Sequence, residues 1–246
     1  MFELPEIEGA TLMMDGRITE AFPTSCFLLK CESRYAWLKA RRNFICASES
    51  ASLLGIGFST NFQLWEDKTG RKPLVVEDNE QMRKGRENEA LSRKQFALDH
   101  DVEVLDGTNI LVVDGKHLDK NGKPFLAATF DAVGFWSDGE PFDIEFKRSE
   151  SYRLFADPNN MPNKYRAQVV KQMLVGNLHR ACLCARVVNV NPYDTRQRKV
   201  YEREYWLDDM DETVRFDQEK LLEVETKFWN ENVLGDKMPD RILPTI

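Results

Sequence analysis

The sequence predicts a mixed α/β fold, a central sheet flanked by helices, and three observations carry that reading. Helical stretches come first, a block of strand-like runs follows, and a helix, a strand and a final helix close the chain. The chain has 246 residues with 42% apolar side chains, enough to bury a sizeable core within one domain. The segment Phe142-Asp143-Ile144-Glu145-Phe146-Lys147 alternates strictly between apolar and polar, as a half-buried strand does.

Residues 1–30 mix short apolar runs with Gly9, Pro5 and Pro23 and read as extended. Residues 33–42 read as a short helix in which Tyr35, Trp37 and Leu38 interrupt Arg34, Lys39, Arg41 and Arg42. A second helical stretch starts near Ser48 or Ser50 as N-cap and stops at Gly55. Residues 79–99, rich in Glu, Arg, Lys and Gln, predict a long helix with Leu91 and Phe96 facing inward. Strands are predicted over 102–105, 109–113, 125–136 and 142–147, a helix over 162–178 and a strand over 181–190. A final amphipathic helix over 211–232 spaces Val214, Leu221 and Phe228 seven apart, with Leu222 and Trp229 beside them.

Charged residues make up 30% and the mean hydropathy is -0.50, which excludes a disordered or membrane-spanning chain. No apolar h-region follows Glu3, Glu6 and Glu8, so a cytoplasmic protein is expected. The five cysteines form no CxxC pair, which removes support for zinc ribbons and thioredoxin-like sites. Cys182 and Cys184 are expected as buried strand residues. His100, His117 and His179 are scattered and expected to be structural or solvent-facing. The net charge is -7, and residues 201–246 alone carry 13 acids against 6 bases. The remaining 200 residues are therefore neutral, and the acidic C-terminal segment, expected as a solvated outer face, says little about a site upstream.

The chemistry concentrates around residues 127–147. Asp143, Glu145 and Lys147 share one face of their strand, with about 6.6 Å between successive members. In the preceding run, Asp131 is a lone acid among apolar residues and needs a partner. Ser137-Asp138-Gly139-Glu140-Pro141 supplies the turn. A three- or five-residue loop centred on Gly139 places Asp131 opposite Lys147 and diagonal to Glu145; a two-residue loop turns it to the other face. In the first register two carboxylates and a lysine converge. That makes a hard, oxygen-only site suited to Mg²⁺ or Mn²⁺ with phosphate co-ligands. Lys147 there can orient a metal-bound water or stabilise transition-state charge. Two helices could complete the site: one carries Glu89 a turn beyond Gly85, the other presents Lys164, Gln168, Lys171 and Gln172 on one face.

Asp131 followed by Glu145-Phe146-Lys147 resembles the PD-(D/E)xK nuclease signature. Four further segments accompany it in order. Trp37-Leu38-Lys39-Ala40-Arg41 with Ile45-Cys46-Ala47-Ser48 is similar to the WxxxR…ITAS segment of the phage lambda exonuclease and YqaJ-type viral recombinase family. Leu64-Trp65-Glu66-Asp67-Lys68-Thr69-Gly70 resembles its LWxxKTG segment, Gly85 to Glu89 its GxxxE helix, and Pro162 to Val169 its PxxYxxQV helix. The resemblance covers roughly residues 35–185 and leaves 1–30 unmatched.

The resemblance implies a restriction-endonuclease-like core in one nuclease domain over 1–246. Asp131 and Glu145 would bind the divalent metal, with the Phe146 carbonyl as a further ligand and Glu89 binding directly or through water. Lys147 would position or activate the attacking water, and Gln168 would lie near the phosphate. Arg41 and Ser48 would hold the terminal 5′-phosphate, since an Arg fork and a hydroxyl suit a phosphate dianion. Thr129 stands where the family's phosphate site can have Ser. The implied activity is Mg²⁺-dependent degradation of one strand of duplex DNA from its 5′ end. The 3′ single-stranded tail would serve phage recombination through a strand-annealing protein. The lambda member's ring-shaped trimer implies a homo-oligomer. A related endonuclease or RecB-like module remains open, as does a DNA-end-binding subunit without activity. Trp37 and Trp65 are expected in the core, and Arg42 in solvent beside Arg41.

Overall fold

The computed structural model describes residues 4–75, 80–149, 152–191 and 194–243, with backbone alone at 80–88, 152, 189–191 and 194–199. The mixed α/β class is what forms, but the strands divide between two five-stranded mixed sheets. The first holds β1 (Ala10–Met13), β2 (Cys26–Cys31), β3 (Ile45–Cys46), β5 (Ile110–Asp114) and β6 (Leu126–Ala128), in the order β1-β2-β5-β6-β3. The second holds β4 (Glu103–Asp106), β7 (Ala132–Phe135), β8 (Pro141–Ser149), β9 (Arg180–Asn191) and β10 (Asp194–Asp208), in the order β10-β9-β8-β7-β4. Among the described residues only β3/β6 and β8/β9 pair in parallel.

The run 125–136 is thus two strands. Between them Phe130 turns into the core against Phe22, ring centroids 5.1 Å apart. Gly107 lets the β4–β5 turn approach that point, because a Cβ there would lie 2.4 Å from the Phe130 carbonyl oxygen. The chain changes sheet at Thr129–Asp131, which places Asp131 at the gap between them.

The β7–β8 hairpin pairs Ala132 with Ile144, Gly134 with Phe142 and Phe135 with Pro141. Its loop covers 136–140, closed by Trp136 N donating to Glu140 O at 3.0 Å. The turn is centred on Asp138, one residue before Gly139, so the continued register sets Asp131 opposite Glu145 rather than Lys147. The shift is two residues, and the shared face survives it. Aromatic packing fixes this register. Phe142 stacks on Trp136 at 4.6 Å, and its ring occupies the space a Cβ at Gly134 would need.

Helix α1 (Arg34–Arg41) starts at Ser33, whose Oγ accepts from Ala36 N at 3.1 Å, and buries Ala36 and Ala40. The Ser48 region is a 3₁₀ turn (Ala47–Glu49) leading into α2 (Ser50–Leu53). Neither serine caps it: Glu49 closes the turn by accepting from Cys46 N at 2.8 Å, and both serines reach distant partners instead. Helix α3 (Asn61–Lys68), capped by Thr60 and Gln63, forms where the sequence reading assigns no element. Helix α4 (Glu80–His100) buries Phe96, whereas Leu91 is exposed rather than inward-facing. Helix α5 (Asn163–Gly176) ends at left-handed Asn177. Helix α6 (Glu212–Lys227), continued by a π-helical turn to Val233, drives Val214, Leu221, Phe228 and Trp229 into the core.

The C-terminal helix is two-sided: Glu212, Glu219 and Glu223 are exposed as expected, whereas Glu225 is buried with the apolar residues. The first part of the C-terminal segment is β10, a strand the sequence reading misses, and α6 packs on α5 and α2. Among the described residues no helix is long and apolar enough to cross a membrane.

Candidate active site

Alternation along β8 gives the sheet two chemical faces. Even-numbered residues Phe142, Ile144 and Phe146 pack toward Phe96 of α4. The odd-numbered Glu145 faces α5, where Gln168 Nε2 donates to its Oε1 at 2.7 Å. Gln172 Nε2 donates to Oε2 at 2.7 Å and to the Thr129 carbonyl at 3.0 Å. Gln168 and Gln172 are one helical turn apart, so one face of α5 clamps both carboxylate oxygens. Lys147 Nζ donates to Glu145 Oε1 from the same face. A carboxylate retains lone pairs after three such bonds.

Asp131 reaches the same place from the gap between the sheets. Its Oδ2 accepts from Phe146 N at 2.9 Å, and Arg93 of α4 donates to its carbonyl at 3.2 Å. Burial, with the adjacent charge of Glu145, holds the Asp131 carboxyl well above the usual carboxylate range; Glu89 adds to this and Lys147 opposes it. Lys147 goes the other way. Burial disfavours its charge, but Glu145 and Asp131 outweigh that and keep the ammonium protonated beyond its ordinary range. Among the described residues, Asp143, fully buried two residues before Glu145, has no hydrogen-bond partner for either oxygen, and Gln172 Oε1 is equally unpartnered. The centre is rich in buried acceptors and poor in cations.

That imbalance is what a hard divalent cation would correct. The oxygen-only donor set fits Mg²⁺ or Mn²⁺, which keep several waters. Among the described residues no three His, Cys, Asp or Glu side chains converge tightly enough to chelate a metal on their own. Asp131 and Glu145 are the carboxylates that would hold such a cation, and the charge of Glu89 acts on the same place.

The second cluster is built by α1, by the 3₁₀ turn Ala47–Glu49 that packs on α5, and by the end of α3. Arg41 Nη2 donates to Ser48 Oγ at 2.8 Å and to Glu49 Oε1 at 3.1 Å, with its guanidinium 4.4 Å from the Trp37 ring centre. Lys68, buried at the end of α3, bridges Glu49 Oε2 at 2.7 Å and the Arg41 carbonyl at 2.9 Å. Burial pushes the Glu49 carboxyl up, but Lys68 and Arg41 prevail and hold it below its ordinary range. Arg41 and Ser48 thus meet, in a cluster that also contains the wholly buried Lys68 side chain.

Several expectations change. Lys171 does not share the glutamine face: it is wholly buried and paired with the equally buried Glu225, which also accepts from Ser50 Oγ at 2.6 Å. Lys164 lies 3.9 Å over the Phe58 ring. Arg42 is no solvated neighbour; it forks onto Asp67 Oδ1 at 3.1 and 3.0 Å. Trp65 is core, whereas Trp37 is half-buried. Each histidine pairs with a carboxylate, His100 with Glu204, His117 with Asp114 and His179 with Asp209. The side chains of Gly85–Asn88 lie outside the described residues.

The YqaJ-like viral recombinase domain model matches residues 36–179. The "Uncharacterized protein YqaJ" of Bacillus subtilis (strain 168) is 28% identical over 210 residues, 84% of this chain. This chain spans 59% of that relative's length. Among solved structures, LHK-Exo in complex with dAMP is similar at 15% identity and a TM-score of 0.50, over 82% of this chain and 98% of that one. The LHK-Exo alkaline exonuclease of Laribacter hongkongensis gives 14% and 0.48 in a second structure, over the same shares. These structural likenesses concern the fold alone. The family assignment rests on the domain match, which runs from α1 through the Asp131/Glu145/Lys147 centre to the end of α5: the chain belongs to the YqaJ-like viral recombinase family.

Proposed function

We propose that the chain is a metal-dependent nuclease that degrades one strand of duplex DNA from its 5′ end and leaves a 3′ single-stranded tail. The observation that carries it is the convergence of Asp131, Glu145 and Lys147 under the Gln168/Gln172 clamp. The family assignment supports the reading independently.

In this reading Asp131 and Glu145 hold Mg²⁺ or Mn²⁺, with the Phe146 carbonyl as a further ligand and Glu89 acting through water. The bound cation supplies Lewis-acid stabilisation of the phosphate and lowers the pKa of an attacking water. Gln168 and Gln172 hold the Glu145 carboxylate in one orientation, and Arg93 fixes the backbone of Asp131. Lys147 keeps its proton, so it stabilises anionic charge and orients water rather than removing a proton. Arg41 and Ser48 take the terminal phosphate, which selects ends, with buried Lys68 anchoring Glu49 and the Arg41 backbone and Thr129 lying beside the centre. The tail passes to a phage strand-annealing protein in the host cytoplasm, and the enzyme works as a homo-oligomer.

One observation favours a second reading. Glu49 already pairs with Arg41 and Lys68, which would make that cluster a structural ion network and the protein an endonuclease. Duplexes labelled at the 5′ or the 3′ terminus separate the two in Mg²⁺. Early release of 5′-terminal mononucleotides, with 3′ label retained on long strands, supports the exonuclease. Internal cuts with both labels on long fragments refute it.

A further inference from the structure

A cavity of about 310 Å³ adjoins the catalytic centre on the α4 side of the second sheet. Glu89, Gln95, Phe146, Lys147, Arg148 and Arg186 are among the residues around it. Arg148 and Arg186 are directly opposite each other on the parallel strands β8 and β9. Neighbouring strands are about 4.8 Å apart, so the two side chains leave the sheet side by side on one face. Both are exposed, and among the described residues neither makes a hydrogen bond or an ion pair. Like charges directly across a strand pair are destabilising. Carboxylates do border the cavity, yet they are engaged elsewhere or out of reach. Gln95 holds Asp99 at 2.7 Å, and His100 holds Glu204 at 2.9 Å. Glu202, opposite Arg186 on β10, is not within pairing distance.

We propose that Arg148 and Arg186 grip a backbone phosphate of the scissile DNA strand, on the 3′ side of the bond being cut. Two forks from adjacent strands match the oxygens of one phosphodiester. Position supplies the direction. Ser48 sits on the 3₁₀ turn that packs against α5, the helix that clamps Glu145, while Arg148 follows Lys147 immediately and turns to the α4 face. A strand whose 5′ terminus sits at Arg41 and whose scissile phosphate sits at Asp131 and Glu145 continues onto the Arg pair. This rests on the nuclease reading and adds a strand path to it.

The test uses the full chain with Arg148→Gln and Arg186→Gln combined. Affinity for a 5′-phosphorylated linear duplex is measured in Ca²⁺ over a salt series. Loss of one phosphate contact should lower the slope of log K against log salt by about one, and weaken binding roughly tenfold or more at low salt. Glu202→Gln should leave affinity unchanged or raise it. A Glu202→Gln protein as unstable as Arg186→Gln would make the arginine a structural partner and overturn the proposal. Inhibition by added deoxynucleoside 5′-monophosphate should be the same in wild type and double variant; its relief in the variant would assign the pair to product and overturn the strand assignment. Unchanged affinity and slope in a protein whose wild type cleaves DNA refutes the inference alone. A wild type that neither binds nor cleaves duplex DNA overturns the nuclease reading with it.

Discussion

Replacing either member of the Lys171–Glu225 pair should destabilise the protein far more than replacing both. Both side chains are 0% exposed, and the pair joins α5 to α6 with Ser50 of α2 as a third partner. Among the described residues, Lys171→Met leaves a buried carboxylate with only the Ser50 hydroxyl, and Glu225→Leu leaves a buried ammonium with none. Removing one partner of such a pair costs about 3–5 kcal/mol. For a chain of this size that is roughly a 6–20 °C fall in Tm. The double variant Lys171→Met/Glu225→Leu removes both desolvated charges, and such replacements are neutral to about 4 kcal/mol stabilising. An unpaired Ser50 hydroxyl offsets about 1–3 kcal/mol of that. Urea midpoints followed by far-ultraviolet circular dichroism give all three values, provided the m-values agree. Single variants that lose less than about 1 kcal/mol would refute the buried pairing, since exposed pairs have that magnitude. A double variant as unstable as the sum of the singles would refute it equally.

Lys147→Ala should lower the cleavage rate about 10²-fold or more. Its metal affinity, read by calorimetry, should be unchanged or higher because a cation leaves the centre; a large loss would make Lys147 structural. Gln172→Leu removes the donor on Glu145 Oε2 and should cost about tenfold or more in kcat, the scale of one hydrogen bond to a charged group. Its KM for DNA should hold, and a KM change alone would contradict the clamp. Arg41→Ala should abolish the preference for 5′-phosphorylated over 5′-hydroxyl ends, a difference of about ten- to a hundredfold, with Arg41→Lys restoring part of it. An unchanged ratio on matched duplexes would favour the ion-network reading of Glu49.

Much of this arrangement is legible from residue order. Strict alternation in Phe142–Lys147 places Glu145 and Lys147 on one face whatever surrounds them, because strand geometry alone decides it. The register is legible only in parity. The two-residue shift depends on Phe142 stacking over Trp136 and covering Gly134, a contact that local turn chemistry does not report. Asp131 reads as a strand residue because its neighbours are apolar, whereas Phe130 leaves the ladder to pack on Phe22. On α5 the helical spacing correctly sets Gln168 and Gln172 together but wrongly keeps Lys171 with them. Lys171 faces Glu225, 54 residues away, and no local pattern encodes that partner. Lys68 and Arg93 likewise touch the candidate sites through α3 and α4 over long range. β10 stays hidden because its sequence is thick with Glu and Arg, as an exposed sheet edge permits.

The most direct test compares wild type and Glu145→Gln on linear and covalently closed circular duplex DNA, with Mg²⁺ and with excess chelator. The nuclease reading predicts that wild type digests the linear duplex only with Mg²⁺ and spares the circle, while Glu145→Gln binds the linear duplex but leaves it intact. Digestion in chelator, or turnover by Glu145→Gln within a few-fold of wild type, would contradict the assignment of Asp131, Glu145 and Lys147 as the catalytic centre.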